Sequence, residues 1–527
     1  MIENFIFYLE LVMVIILTIM IAKKLKIAYP ILLVIVGLLI SLIPGMRTIK
    51  IEPELIFIIF LPPVLYEAAF QISWKELWKL RRTISSFAFI ITFLSAISIA
   101  FVANAIVPGF SLAMGFVIGG IVSAPDTVST GAILKYVKVP KNYSTFLEGE
   151  SLFNNASSLI IFRFAMVAVA TGQLIWQDTA ISFSWIIIGG ISIGLAIAFI
   201  FLQIHKYFST SVNTDIILSL VTPYIMYITA EEVHSSGVIA VVTGGLFLSL
   251  RRHQWLKTSE SRLKEFNFWE SFTFLINGIV FLIIGLDLPE IIEGLESDGT
   301  KVWEAIAYGL IFTIILMMIR LLSTYGGVTM TLILRNFIKI ADRDPERKGP
   351  LLFGWAGMRG VVSLLAALSI PLTLENGQPF PHRDLILFLT LVVVVSTLVF
   401  QGLTLRALII WLEIDEVTPY HLSEKEANKV LRKGMRETAL SYLLGNFKSI
   451  QDENLHIEKI KNRCEKNDDE YPLFTFSKKE KKIYLETMNK QREYLRKENR
   501  ENPLIDEEFT RRNLLKLDLE EEQVRLE

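Results

Sequence analysis

The chain has 527 residues, a formal net charge of -1 at pH 7, and 52% hydrophobic residues. A mean hydropathy of +0.48 is too high for a soluble protein, and the apolar residues form runs long enough to cross a hydrocarbon core of about 30 Å. The balanced charge disfavours a nucleic-acid groove, and the single cysteine, Cys464, excludes an internal disulfide. The composition therefore predicts an all-α polytopic membrane protein.

Thirteen hydrophobic runs follow one another in the first four fifths of the chain. The first run lacks a basic leader and a small-residue cleavage site, so we interpret it as a retained span. The predicted spans are 3–22, 28–44, 53–71, 84–107, 111–134, 145–171, 183–205, 213–232, 236–250, 268–289, 303–334, 350–372 and 384–411.

Lysine and arginine are unevenly distributed among the loops between these spans. The loops after spans 1, 3, 5, 7, 9 and 11 hold 21 of these residues, whereas the other six loops hold 4. Basic loops stay in the cytoplasm. The alternation therefore predicts an N-terminus outside the cell and a C-terminal tail in the cytoplasm.

The chain after the last span has a different composition. Residues 413–527 hold 23 Lys or Arg and 26 Asp or Glu, and amphipathic stretches such as SEKEANKVLRKGMRETALSYLLGNF predict helices. We therefore divide the chain into a membrane domain, 1–412, and a helical cytoplasmic domain, 413–527. The latter is either regulatory or dimer-stabilising, or a small bundle that folds only against its twin. Without a nucleotide loop, zinc-ligand spacing or catalytic triad, an enzyme is disfavoured and no cofactor is predicted.

Few charged residues fall well inside the predicted spans, where each buried charge needs a reason. Two carboxylates stand out at membrane depth, Glu67 in FLPPVLYEAAF and Asp126 in VSAPDTVSTGAI. Arg406 lies near a span end, so its guanidinium can reach the membrane surface. The arginines within spans are Arg163, Arg320, Arg359 and Arg406.

Spans 5 and 12 are each interrupted by residues that break helices. Pro125 removes a helical hydrogen bond beside Asp126, where Thr127 and two glycines loosen the same region, and three glycines surround Arg359. Broken spans seven apart predict two inverted repeats, spans 1–6 and 8–13, with crossed broken helices at a binding site. The alternative, two ordinary glycine-rich packing sites, leaves the charges at the breaks unexplained.

Span 6 carries polar residues in EGESLFNNASSLIIF. Glu150 lies apart from the polar stripe of this helix and is predicted to pair with Arg359 in the other broken helix. The alternative, polar contacts worth about 1 kcal/mol each, does not account for Glu150. At about 100° per residue, the side chains that share one helix face and can point toward Asp126 are Ser151, Asn154, Asn155 and Ser158.

Four motifs carry a resemblance to a known family: SAPDTV, GESLFNNASSLIIFR, HSSGVIAVVTGGL and GWAGMRGVVSLLAALSIP. In this order, they resemble the bacterial branch of the monovalent cation:proton antiporters, relatives of the sodium/proton exchangers, over residues 5–412. The resemblance implies a homodimer in the plasma (inner) membrane with a dimer domain and a mobile core domain. It also implies elevator-like, electroneutral exchange of Na⁺, or of Li⁺ or K⁺, for H⁺.

The resemblance further implies roles for individual residues. Asp126 would coordinate the cation, and Ser151 and Glu67 would lend oxygens. A stabilising ion pair would join Glu150 to Arg359. Asn154 matches the asparagine of the family's Asn-Asp motif. The predicted ligands of Na⁺ are Asp126, Asn155 and Ser151.

Asn155 is the main departure, because the family has an aspartate at this position. Antiport requires a carboxylate for which two ions compete, and an amide neither carries charge nor titrates. Three explanations are open: an engineered Asp-to-Asn form, a natural exchanger that uses Asp126 with help from Glu67, and a transport-inactive relative acting as a sensor or structural partner. A smaller departure is Pro125, which many relatives place after the aspartate.

Other classes of transport protein are alternatives to a sodium/proton antiporter. A K⁺/H⁺ antiporter is the main rival, because ion choice depends on cavity size. A channel is disfavoured, since the sequence contains neither a ring of acids nor a filter repeat.

Overall fold

The computed structural model describes residues 2–25, 28–43, 52–126, 130–131, 141–172, 176–208, 211–256, 258–334, 348–374, 377–413, 422, 424–446 and 477–526. Within these ranges the regular secondary structure is helical, apart from one isolated bridge between Thr373 and Pro379. A π-helical turn, Phe87–Ile91, lies between α4 and α5 as defined below. The predicted all-α class is confirmed for the described part of the chain.

Eighteen α-helices are described. They are α1 (Ile2–Leu25), α2 (Tyr29–Ser41), α3 (Pro53–Gln71), α4 (Trp74–Ser86), α5 (Thr92–Ile106), α6 (Leu112–Ser123), α7 (Lys141–Thr171), α8 (Trp176–Phe208), α9 (Val212–Glu232), α10 (Gly237–Trp255), α11 (Ser259–Ser297), α12 (Val302–Leu334), α13 (Gly349–Trp355), α14 (Val361–Leu368), α15 (Arg383–Leu412), α16 (Glu424–Asn446), α17 (Lys478–Glu501) and α18 (Glu507–Leu526).

Many of these helices have the length and composition of membrane spans. Among the described residues, seven helical stretches can cross a membrane by these criteria, and three further apolar helices are shorter. The protein is thus a multi-pass membrane protein, and the number of thirteen spans stays a prediction. The seven long stretches are Trp74–Ile106, Tyr143–Thr171, Ser184–Phe208, Val212–Glu232, Ser259–Ser297, Val302–Met330 and Arg383–Leu412.

Hydroxyl side chains cap the beginnings of several helices. The Ser111 hydroxyl accepts a hydrogen bond from the Met114 N–H at 3.2 Å at the start of α6, and Ser236 caps α10 in the same way. Ser477 and Glu480 form a capping box at the start of α17. Such caps bind backbone N–H groups that have no partner within the first helical turn. Local sequence therefore specifies where these helices begin.

The membrane helices form two groups according to their contacts. In the first helix group, α1, α2, α3, α9, α10 and α11 pack mainly with one another, and α8 joins them through α9 and α10. The second helix group contains α4, α5, α6, α7, α12, α13, α14 and α15. Contacts of α3 and α11 with α14, and of α11 with α15, connect the groups. The chain first passes from one group to the other between α3 and α4.

Glycines permit a close helix contact within the first helix group, between α2 and α11. A Cβ atom at Gly37 would lie 2.5 Å from the Leu282 carbonyl oxygen, and one at Gly285 would overlap with the Val34 carbonyl. Only glycine fits on both sides of this contact. Close backbone packing of this kind stabilises helix pairs in lipid, where apolar side chains gain little from association.

The C-terminal helices α16, α17 and α18 enclose a second apolar core. They also contact the membrane helices within the same chain, because α18 packs against α11. Asp518 accepts two hydrogen bonds from the Arg262 guanidinium, at 2.8 and 2.5 Å. The domain boundary at residue 412 stays a prediction. Members of the second core include Ala427, Leu431, Met488 and Leu495.

Candidate functional site

Two helix interruptions lie side by side in the second helix group. One follows α6, which ends at Ser123, and the other is the segment 356–360 between α13 and α14. The Asp126 N–H donates to the Met358 carbonyl oxygen at 2.6 Å, and the Thr130 hydroxyl donates to the Ala356 carbonyl oxygen at 3.1 Å. The two interrupted segments therefore satisfy each other's backbone groups, which lipid cannot do.

The charges at these interruptions match the partial charges of the helix ends. Asp126 lies at the N-terminus of α14, where its carboxylate accepts a hydrogen bond from the Val361 N–H at 3.4 Å. Arg359 donates from Nε to the Val122 carbonyl oxygen, near the C-terminus of α6, at 2.9 Å, and from Nη1 to the Gly357 carbonyl oxygen at 2.5 Å. An anion at a helix N-terminus and a cation at a helix C-terminus are both favourable, so each charge stabilises its interruption.

Gly360 gives Asp126 the space that its carboxylate occupies. A Cβ atom at position 360 would overlap with the Asp126 carboxyl group. Asp126 is 5% exposed, so its side chain has little freedom to move aside. A side chain larger than that of glycine at position 360 would therefore collide with Asp126.

Glu150 pairs with Arg320. The Arg320 Nη1 and Nη2 atoms donate to the two Glu150 carboxylate oxygens at 2.8 and 2.7 Å, and both side chains are at most 2% exposed. The predicted pairing of Glu150 with Arg359 is therefore wrong. The unbroken helix α12 brings Arg320 to the carboxylate of Glu150, whereas backbone carbonyls at the interruptions bind the guanidinium of Arg359.

Asn154 belongs to the network around this ion pair. Its Nδ2 donates to Glu150 Oε1 at 3.2 Å, and its Oδ1 accepts from the Thr92 hydroxyl at 3.0 Å. Thr92 directly follows the π-helical turn, and such turns change the direction of the side chains around them. Both the oxygen and the nitrogen of the Asn154 amide thus have partners. Thr92 orients the amide, and the amide in turn helps to orient Glu150.

Asn155 has a different environment on the same helix. It is 7% exposed, and its Oδ1 has no hydrogen-bond partner among the described residues. Ser151, one turn earlier, is also buried. Helix α7, which carries both residues, packs against α6 and contacts α14. Because an unpaired buried carbonyl oxygen is costly, the Asn155 oxygen is a candidate ligand for a cation.

The other predicted site residues lie in different places. Glu67 is half-buried on α3, and its carboxylate accepts a hydrogen bond from Gln71 Nε2 at 2.5 Å, within the same helix. Arg163, on the later part of α7, pairs with Glu231 of α9 at 3.1 Å. Thr127 lies outside the described residues.

Two threonines of this region were not predicted from the sequence. Thr92 donates to Asn154, and the Thr397 hydroxyl of α15 accepts a hydrogen bond from the Arg359 N–H at 3.2 Å. Their only signal is a hydroxyl group within an apolar run. Threonine commonly packs between membrane helices, so this signal is weak.

These features define a helical membrane protein with a buried carboxylate at two adjoining helix interruptions. Residues 11–411 match the family described as "Sodium/hydrogen exchanger, transmembrane". The match covers more than half of the chain, and the protein therefore belongs to the sodium/hydrogen exchanger family. The resemblance seen in the sequence motifs is confirmed.

Two curated relatives illustrate this similarity. The chain is 32% identical to a "Sodium, potassium, lithium and rubidium/H(+) antiporter" of Bacillus pumilus, over 77% of this chain and 63% of the relative. It is 34% identical to the "Na(+)/H(+) antiporter ApNhaP" of Aphanothece halophytica, over 73% of this chain and 69% of the relative. Both relatives are named as antiporters, not as enzymes. The chain spans less than two thirds of the length of the Bacillus pumilus relative.

The fold is also similar to that of a solved structure. The sodium proton antiporter MjNhaP1 from Methanocaldococcus jannaschii matches with a TM-score of 0.61 at 19% identity. The match covers 75% of this chain and 98% of that protein. At this identity, the similarity concerns the fold.

Proposed function

We propose that this protein is a secondary antiporter that exchanges Na⁺, with Li⁺ or K⁺ as alternatives, for H⁺ across the plasma membrane. The observation that carries the proposal is the buried carboxylate of Asp126 at the two helix interruptions. A carboxylate is anionic when a cation is bound and neutral when protonated, so the two ions exclude each other. Exchange of one cation for one proton is electroneutral. It requires no resident metal or cofactor.

In this proposal, Asp126 supplies the negative charge of the cation site. The Asn155 Oδ1 and the Ser151 hydroxyl lend neutral oxygens, which hard cations prefer as ligands. The Asn155 oxygen has no hydrogen-bond partner among the residues that the structure describes, which supports this role. Glu67 contributes from the first helix group, since its helix α3 contacts α14.

Alternating access is proposed to be an elevator movement of the second helix group against the first. Extensive packing within each group and fewer contacts between them support this division. Thirteen spans in two inverted repeats would bring the two interruptions together near the middle of the membrane. Dimerisation through the first helix group would leave the second free to move.

The orientation is proposed to be that predicted from the loops, with the C-terminal helices in the cytoplasm. Lys75, in the basic segment between predicted spans 3 and 4, donates to the carbonyl oxygens of Asn502 and Ile505, between α17 and α18, at 2.8 and 2.5 Å. Arg262, in the basic segment between predicted spans 9 and 10, binds Asp518 of α18. The C-terminal helices and the connection between them thus contact two of the lysine- and arginine-rich segments that are predicted to be cytoplasmic, which supports their location on the cytoplasmic side.

A second candidate function is that of a transport-inactive family member acting as a sensor or structural partner. Asn155 favours it, because an amide stands where the family resemblance implies a titrating carboxyl group. The two candidates differ in one respect, which is whether Asp126 alone can carry both ions.

The test is cation-driven proton movement in proteoliposomes under imposed Na⁺, Li⁺ and K⁺ gradients. The unaltered chain is compared with Asn155→Asp and with the control Asn277→Asp. Asn277 is also buried, and its Oδ1 has no hydrogen-bond partner within the described part of the chain, but it lies on α11 in the first helix group. Gel filtration checks the folding of each variant.

We expect Asn155→Asp to increase exchange by at least about tenfold and Asn277→Asp to leave it unchanged. Exchange by the variant alone would support the inactive candidate for the unaltered chain. Exchange by both would indicate that Asp126 suffices. Absence of exchange from both, with every cation, would contradict antiport, and dependence on membrane potential would contradict electroneutrality.

The antiport proposal also predicts a direction for the pH dependence. At subsaturating Na⁺, exchange by a transporting form should rise between about pH 6 and about pH 9, because fewer protons compete with Na⁺ for Asp126. Initial rates at several Na⁺ concentrations measure the effect, and saturating Na⁺ should flatten it. A flat profile at low Na⁺ would contradict competition at one carboxylate.

A further inference from the structure

Helix α4 has one face packed on the bundle and one exposed face. Leu77 and Ile84 are buried and lie close to Gly149 of α7. On the opposite side, Trp78 is 55% exposed, and Arg81 and Arg82 are also exposed. A face that combines tryptophan with arginine at the end of a membrane helix is typical of the membrane–water interface.

A groove of about 440 Å³ lies between this exposed face and α7, and its lining is mostly apolar. The rings of Trp74 and Trp78 stack in its wall with centroids 5.5 Å apart. The Arg81 guanidinium lies 4.6 Å from the centre of the Trp78 ring. Phe153 of α7 forms part of the opposite wall.

The charge of the groove is positive. Arg81 donates to the Trp78 carbonyl oxygen at 2.6 Å, and neither Arg81 nor Arg82 forms an ion pair with a described carboxylate. The nearby acid Glu76 is only 3% exposed, on the packed side of α4. Two exposed guanidiniums repel cations, so this groove does not suit an entrance for the transported ion. It suits an anion with an apolar part.

We propose that this groove binds an anionic phospholipid from the membrane leaflet next to the C-terminal helices. The phosphate lies between Arg81 and Arg82, and one acyl chain lies along Trp74, Trp78 and Phe153. Guanidinium groups bind phosphate through paired hydrogen bonds, and indole rings prefer the headgroup level of the bilayer. Anionic lipids are attracted to such clusters at a membrane surface.

The position of the groove connects the lipid to the site. Phe153 immediately precedes Asn154, which is bonded to Glu150. Lys75, in the first turn of α4, binds the carbonyl oxygens of Asn502 and Ile505, in the connection between α17 and α18. A bound lipid would therefore stabilise α4 against α7, within the second helix group. This binding does not depend on transport, so it can be tested even if the proposed antiport fails.

The experiment is native mass spectrometry of the full chain with phosphatidylglycerol or phosphatidylcholine of identical acyl chains. The variant is Arg81→Gln with Arg82→Gln. The control, Lys23→Gln with Lys24→Gln, removes two exposed basic residues from the end of α1 but leaves the groove intact. The unaltered chain and the control should retain phosphatidylglycerol about tenfold better than phosphatidylcholine, and the arginine variant should lose this preference.

Melting temperature gives a second readout. Phosphatidylglycerol should raise it for the unaltered chain and the control more than for the arginine variant. Equal retention of the two lipids by the unaltered chain would overturn the proposal, as would equal losses in the variant and the control. Full competition by soluble glycerol phosphate would also overturn it, because the site would then bind a free phosphate and not a lipid.

Discussion

Two ionic clusters of this protein combine carboxylates with arginines in different surroundings. Among the membrane helices, Glu150 and Arg320 form a single pair with side chains 1–2% exposed. Where α18 meets α11, Asp518 binds both Arg262 and Arg492, at 2.5 and 3.0 Å, and the three side chains are 5–13% exposed. The first cluster has one acid for one base. The second has alternative partners and lies near the end of a membrane helix.

The difference teaches what each cluster can tolerate. If one partner of the Glu150–Arg320 pair is removed, the other is left charged where no water can replace it. If Asp518 is removed, Arg492 still has Glu521, with which it also pairs, and Arg262 still donates to the Leu256 carbonyl oxygen. Although the hydrogen bonds are similar, removal of a carboxylate should therefore reduce stability strongly at the Glu150–Arg320 pair and moderately at the Asp518 cluster.

The largest effect is expected for Glu150→Gln. This change leaves the Arg320 guanidinium buried without its carboxylate, and the free energy of unfolding should fall by about 3–5 kcal/mol. The readouts are the yield of folded protein and its melting temperature in detergent.

A charge-free replacement of the pair tests the cause of this loss. Glu150→Leu combined with Arg320→Met leaves no unpaired charge, so it should restore most of the lost stability. Normal yield and melting temperature for Glu150→Gln would contradict the assigned pair. A double variant as unstable as the single one would show that packing, not charge, is the cause.

A moderate effect is expected for Asp518→Asn. Loss of the carboxylate weakens the attachment of α18 to α11, and the local opening free energy of α18 should fall by about 2 kcal/mol. Hydrogen–deuterium exchange of residues 507–526 measures this change. The membrane helices should melt as before. Unchanged protection of α18 would mean that apolar contacts hold the C-terminal helices in place.

The smallest effect is expected for Lys264→Gln. Lys264 pairs with Glu260 on α11, two residues from Arg262, but the side chains are 54% and 38% exposed. Exposed pairs of this kind contribute less than about 0.5 kcal/mol. Neither the exchange of α18 nor the melting temperature should change measurably. If Lys264→Gln reduced the exchange protection of α18 as much as Asp518→Asn, the exposure of these charged side chains would not determine the size of the effect.

Much of this organisation follows from residue order alone. Long apolar runs require helices in lipid, because every backbone group must find a partner there. Pro125 and the glycines around Arg359 mark positions where a helix is interrupted, and the structure has interruptions next to Asp126 and around Arg359. The motifs that contain these residues were also enough to indicate the family.

Only the tertiary structure determines which residues pair with the charged side chains. Arg320 and Arg359 were both arginines at membrane depth, and helical periodicity could not decide which of them faces Glu150. That choice depends on how α7 and α12 are rotated and placed against each other, which many distant side chains settle together. The Thr92–Asn154 bond and the attachment of α18 to α11 likewise join residues far apart in the chain. Local patterns describe helices, whereas contacts between helices arise only when the whole bundle is packed.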